Sequence, residues 1–255
     1  MPASTPTTRR PAWIIPAVIL VIAAALIGIS LLRGSAGAGG TAGSGDATSD
    51  TPAADSAPTG PVGKVVEPGP AAQPDMARRD PHDPLSAGPV DAPVVLVAYS
   101  DYQCPFCALW VHDTEPTMMK YVNSGDLRIE WRDVNVYGPD STRAAQAAYA
   151  AGLQGKFWEY HDGLYAQGKK RDPSELTQQA LVALAASLDL DVARFTTDLT
   201  SPDVAAAVQT NADEGAAIGA FSTPSFLIGG HPVVGAQPTG TFVDAVESAL
   251  AEARG

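Results

Sequence analysis

Cys104 and Cys107 are the only cysteines in 255 residues, and they come directly after an apolar run, Val94-Val95-Leu96-Val97-Ala98-Tyr99. The run reads as a strand buried on both faces, and Pro105 suits the first position of a helix. The pair therefore sits where a strand passes into a helix. With no further cysteine the chain has no disulfide framework, so an apolar core must hold it. Leu127 to Val134 places Leu127, Ile129 and Trp131 at alternate positions and reads as a second strand. The result is a strand–helix–strand unit, its helix running from Pro105 to about Asn123 and stopping at Ser124-Gly125-Asp126.

A helical stretch comes next. Ala144 to Leu153 is alanine-rich, and Phe157, Tyr160, His161, Leu164 and Tyr165 mark one face of a helix. Pro173 to Leu188, capped by Asp172, and Val192 to Leu199 are two more. Ser201-Pro202-Asp203 supplies a cap, a first-turn proline and a first-turn acid for a helix ending near Gly219. The period then returns to two. Residues 225–228 and 231–234 predict a hairpin about Gly229-Gly230, and Thr239 to Arg254 closes the chain as an amphipathic helix.

The first quarter of the chain is built differently. Residues 12–32 carry no charge over 21 positions, enough to cross a hydrocarbon layer of about 30 Å. Arg9 and Arg10 precede the run, so residues 1–11 are expected in the cytoplasm and the rest outside. A cleaved secretory signal ending near Ala36-Gly37-Ala38 is the alternative, but its apolar core would be shorter, about 7–15 residues. Both readings export the remainder of the chain. Residues 33–77 are rich in Gly, Ala, Ser, Thr, Pro and Asp and read as a disordered linker before a domain at 78–255. The expected arrangement is a single-pass membrane protein with an extracytoplasmic head. Its net charge of −12, with no basic run in that head, argues against a nucleic-acid partner.

Outside the cytoplasm disulfides persist, and a lone close pair there points to redox chemistry. Cys104 at a helix N-terminus faces unpaired N–H groups that favour its thiolate. Cys107, one turn on, is expected to be the more buried partner, resolving what an exposed Cys104 attacks. Pro105 and Phe106 offer no charge, so the helix end is expected to stabilise the thiolate. An inert bridge and half of a zinc site are the alternatives. Zinc takes about four ligands, and His82, His112, His161 and His231 show no ligand spacing.

Three segments together, Ser100-Asp101-Tyr102-Gln103-Cys104-Pro105-Phe106-Cys107, Gln154 to Asp162, and Phe221-Ser222-Thr223-Pro224 through Gly230, resemble the DsbA-like thiol–disulfide oxidoreductases of the thioredoxin superfamily. The resemblance spans residues 78–255. It implies a thioredoxin-like α/β fold, a central mixed sheet with a helical insertion. It also implies a cis Thr223-Pro224 bond against the redox pair, leaving the Thr223 backbone to meet an extended substrate chain. Thr223, Pro224, Pro105 and Phe106 are the substrate-binding residues so implied, and Cys104 and Cys107 the catalytic ones. No cofactor is implied beyond the Cys104–Cys107 disulfide. The implied partners are reduced exported proteins and a quinone-linked membrane reoxidase.

Many relatives carry an acid six residues before the first cysteine. Ala98 stands there, which leaves proton handling during exchange open. Asp101 reads mainly as a loop or capping residue, with standing in for that acid through water as its alternative; Glu130 is another possible acid, which strand alternation turns away from Leu127, Ile129 and Trp131. His161 reads as a hydrogen-bonded core histidine, Trp110 as helix packing. Oxidation of exported proteins is the expected activity, with a reductase or isomerase using the same atoms, or a non-enzymatic binding module or chaperone, as alternatives.

Overall fold

The computed structural model describes residues 76–255. The expected anchor at 12–32 and nearly all of the linker lie outside them. Among the described residues no helix is long and apolar enough to cross a membrane.

Five strands form one mixed sheet: β1 (Ser86–Ala87), β2 (Val94–Ser100), β3 (Leu127–Asp133), β4 (Ser225–Ile228) and β5 (His231–Val234), in the order β1-β3-β2-β4-β5. β2 and β3 run parallel and the remaining pairs are antiparallel. Every residue of β2 and β3 is buried, as their central place requires. The expected hairpin is β4–β5. Its turn residues Gly229 and Gly230 have φ of 56° and 84°, a left-handed geometry that glycine adopts without a Cβ clash.

The helix after β2 is not continuous. α1 (Pro105–Asp113) ends at Thr114, and α2 (Glu115–Ser124) starts beyond it. Pro116 explains the break: it has no N–H to donate, and in a continuous helix its ring would meet the His112 carbonyl one turn back. The predicted helix from Pro173 is also divided. Asp172 and Glu175 form a capping box on a single 3-10 turn, Pro173–Leu176. Thr177 is then extended and its hydroxyl accepts from Ala180 N, starting α5 (Gln178–Ser187) afresh.

α5 belongs to a helical insertion between β3 and β4, with α3 (Pro139–Gly152), α4 (Phe157–Leu164), α6 (Val192–Leu199) and α7 (Pro202–Ala217). α3 is its hub. Ala144, Ala145, Ala147, Ala148, Ala150 and Ala151 are all buried, and their small side chains let α4, α5, α6 and α7 pack around one helix. Ser201 Oγ accepts from Val204 N at 3.1 Å to cap α7, as its sequence predicts. α8 (Thr239–Arg254) packs on β2 and β4.

Strand alternation divides the core in two. Leu96, Ala98, Ile129 and Trp131 join the larger cluster, and Val95, Val97, Tyr99 and Leu227 face the other side. There Gly215 of α7 lies so close that an added Cβ would fall 2.3 Å from Val134 Cγ1. Glu130 also points to this second face, away from Ile129 and Trp131 as alternation requires. It is fully buried between Arg128 (2.9 Å) and Arg132 (2.8 Å), and accepts the backbone N–H groups of Arg78 and Arg79. Burial alone would raise the Glu130 pKa, but Arg128, those two N–H groups and Arg132 outweigh it and hold the pKa down.

Candidate active site

Cys104 is the N-cap of α1, extended at φ −84° and ψ 120°, with Pro105 in the first helical turn. A turn closed by Cys104 N donating to Asp101 O (3.0 Å) delivers it there from the end of β2. Asp101 is a buried loop anchor: Oδ1 accepts from Gln103 N at 2.7 Å and Oδ2 from Tyr137 N at 3.0 Å. Both cysteines are free thiols, and both are buried.

The exposed attacking sulfur expected at Cys104 is therefore not what is seen. Its residue is 0 % exposed, because the loop carrying Thr223 and the Tyr137 side chain close around it. What is exposed is the rim. Phe106, Tyr137 and Phe221, two residues before Thr223, stand more than half accessible.

The two thiols differ in acidity rather than in accessibility. The Cys104 pKa is lowered to about 5, first by the Cys107 thiol, against the opposing effect of burial, then by the Thr223 side chain and the backbone N–H groups of Cys107 and Phe106. The helix end thus contributes as expected, but the partner thiol contributes most. Cys107 is pushed well up by burial and by Cys104, while the Ser100 side chain pulls the other way. At neutral pH the pair holds one thiolate, on Cys104, and one proton, on Cys107.

Thr223-Pro224 is a cis peptide. While Cys104 holds its proton, the Thr223 carbonyl accepts from Cys104 Sγ at 3.2 Å; ionisation or oxidation of that sulfur removes the donor and leaves the carbonyl open. The structure thus gathers Cys104, Cys107, Thr223, Pro224, Pro105 and Phe106 at one end of the sheet. A groove of about 150 Å³ lined by Ile218, Ala220, Phe226 and Val234 lies beside β4 and β5, and neither cysteine lines it.

Residues 81–248 match the thioredoxin family. The chain belongs to that family. The oxidised BdbD of Bacillus subtilis has a similar thioredoxin-family fold, with a TM-score of 0.60 and 23 % identity over 66 % of this chain and 92 % of that one. A probable disulfide bond formation protein D of Bacillus cereus is 28 % identical over 57 % of this chain and 70 % of its own length. A Na(+)/H(+) antiporter NhaA 3 of Salinispora tropica is 33 % identical over 70 % of this chain, but the chain spans only 26 % of that protein's length.

In this thioredoxin-family chain the floor beneath the pair is polar. Tyr102 Oη and His161 Nδ1 lie 3.1 Å apart, and His161 Nε2 meets Glu115 Oε2 at 3.1 Å. His161 is buried among Trp131, Phe157 and Tyr165, a core histidine as expected. Glu115, His161 and Asp162 bring ligand-type atoms within 4.8 Å of one another, a convergence invisible in their spacing. Trp110 packs on Phe226 and Phe242, in keeping with its expected place. Sequence reasoning missed Asp133, which is fully buried at the end of β3. Burial pushes its carboxyl up to about 7, although Trp131 Nε1 donates to it at 3.0 Å. Its one sequence signal was its place in the alternation of Leu127, Ile129 and Trp131, an acid continuing the apolar face of the strand.

Proposed function

We propose that the chain is an exported thiol–disulfide oxidoreductase that passes a Cys104–Cys107 disulfide to reduced protein substrates. The acidity split between the two sulfurs carries the reading. A thiol lowered to about 5 leaves readily as a thiolate, and such a leaving group makes a disulfide a good oxidant.

In the oxidised enzyme a substrate thiolate attacks Cys104 Sγ, and the Cys104–Cys107 bond breaks towards Cys107. A second substrate thiolate then attacks the substrate sulfur of the mixed disulfide, and Cys104 departs as the thiolate. Two electrons pass from substrate to enzyme. The exposed rim of Phe106, Tyr137 and Phe221 suits apolar segments of an unfolded chain, and main-chain pairing at Thr223 suits clients of varied sequence. With no S–H on the oxidised Cys104, the Thr223 carbonyl is open to the substrate main chain. A membrane anchor at 12–32 would hold this head near a quinone-linked reoxidase.

Cys107→Ser tests the reading. It keeps the Cys104 nucleophile but removes the thiol that would displace the substrate from it, so with oxidised substrate proteins its Cys104 thiolate should open a substrate disulfide, release one substrate thiolate and stay linked to the other sulfur. Cys104→Ser should accumulate none. Equal trapping by both variants, or by neither, contradicts the assignment.

A further inference from the structure

Reducing the pair leaves a sulfur that must be protonated in a buried place. Cys107 departs as a thiolate, its pKa is held high by burial, and bulk water does not reach it. The proton has to come from a neighbour. Ala98 carries no proton, and the hydroxyls of Tyr102 and Tyr165 are themselves pushed well up by burial.

Among the described residues several buried side-chain atoms find no partner in hydrogen-bond geometry, and two of them, Ser100 Oγ and Asp133 Oδ2, belong to facing residues of β2 and β3. Such orphans are uncommon in a folded protein and each asks for a cause. Ser100 and Asp133 face each other in the parallel register of β2 and β3, on strands about 4.8 Å apart. Both continue the face of Ala98 and Trp131, the face on which Cys107 is packed. The Ser100 side chain acts on both Cys107 and Tyr165, and the Tyr165 hydroxyl is tied to Asp101 O at 2.8 Å.

We propose that Asp133 is the proton carrier of the redox pair, giving its proton through Ser100 to Cys107 when the disulfide opens and taking it back when the disulfide reforms. The inference rests on the oxidoreductase reading above. The balance closes. The electron pair of the broken S–S bond goes to Cys107, the Asp133 proton accompanies it, and the carboxylate left behind holds the negative charge until reoxidation returns the proton. In reoxidation Asp133 takes the proton from Cys107 as that sulfur attacks the mixed disulfide at Cys104.

The groups facing Asp133 leave it able to do this. Burial is the main influence on its carboxyl, Asp101 from the loop after β2 raises it further, and Trp131, His161 of α4 and Arg132 lower it. Tyr102 and Tyr165 face it as neutral hydroxyls, and Glu115 stands behind His161. The outcome near 7 lets the carboxyl both give and take a proton around neutral pH, which is what a general acid–base requires.

The test is the rate at which a small dithiol reduces the oxidised protein, measured against pH and divided by the dithiol's thiolate concentration. Wild type should lose rate through an inflection near 7 as pH rises. Asp133→Asn, whose amide oxygen can still accept from Trp131, should lose the inflection and run about a hundred-fold slower at low pH. Ser100→Ala should be slowed while keeping the inflection. An Asp133→Asn profile with the inflection intact overturns the proposal. Should that variant fail to fold, carbon-13 NMR of the wild-type carboxyl decides: its titration should move between oxidised and reduced protein, and an unmoved titration overturns the proposal. A wild type that no dithiol can reduce would instead contradict the oxidoreductase reading itself.

Discussion

At Cys104 chemistry and position meet in one atom. The Cys107 thiol, the Thr223 side chain and two backbone N–H groups bring its pKa from 9 to about 5, so the sulfur is ionised at neutral pH while Cys107 stays protonated. A group whose pKa is depressed on folding stabilises the fold fully above its unfolded value and ceases to do so below its folded one. The reduced protein should therefore lose stability relative to the oxidised protein as pH falls from about 9 to about 5. Urea midpoints of both forms across that range, with the ultraviolet absorbance of the thiolate, check this. A thiolate signal that disappears near 9 would contradict it. The identity and spacing of the pair were plain in the sequence, as was the helix start that activates it. Hidden were the cover over Cys104 and the burial of Asp133, since both depend on segments that meet only when Tyr137, Thr223 and the end of β3 are brought together.

Among the elements, β3 does two jobs on its two faces. Leu127, Ile129 and Trp131 fill the main core, while Arg128, Glu130 and Arg132 form a buried ionic cluster that ties residues 78 and 79 to the sheet. Removing one member of such a cluster strands its partners' charges. Glu130→Ala should cost about 3–5 kcal/mol of stability, read by denaturant unfolding, and should leave the Cys104 thiolate titration unchanged. A loss under about 1 kcal/mol would show that water solvates the cluster. The strands and the β4–β5 hairpin were legible because period-two patterns and Gly-Gly turns are local signals. The helix breaks at Thr114 and Thr177 were not. Each is decided by a cap competing with helix propensity, through the missing N–H of Pro116 in one case and the Thr177 hydroxyl in the other.

For the molecule as a whole, the sheet sets the redox pair, the cis-proline loop and the polar floor at one end, and the helical insertion closes over that end. Tyr165, beyond α4, braces the Asp101 turn that delivers Cys104. The sheet and the insertion are dictated by the order of strand-like and helix-like segments, so the architecture could be read from the chain. The direction of electron flow could not, because it depends on the difference in free energy between the disulfide and the dithiol rather than on any residue's identity. The redox potential of the Cys104–Cys107 pair, equilibrated against glutathione, is the decisive measurement. A stabilised Cys104 thiolate favours the dithiol, so the pair should stand more positive than about −200 mV, on the side of the strong oxidants of this fold. A value near the roughly −270 mV of a thioredoxin would contradict the oxidase assignment.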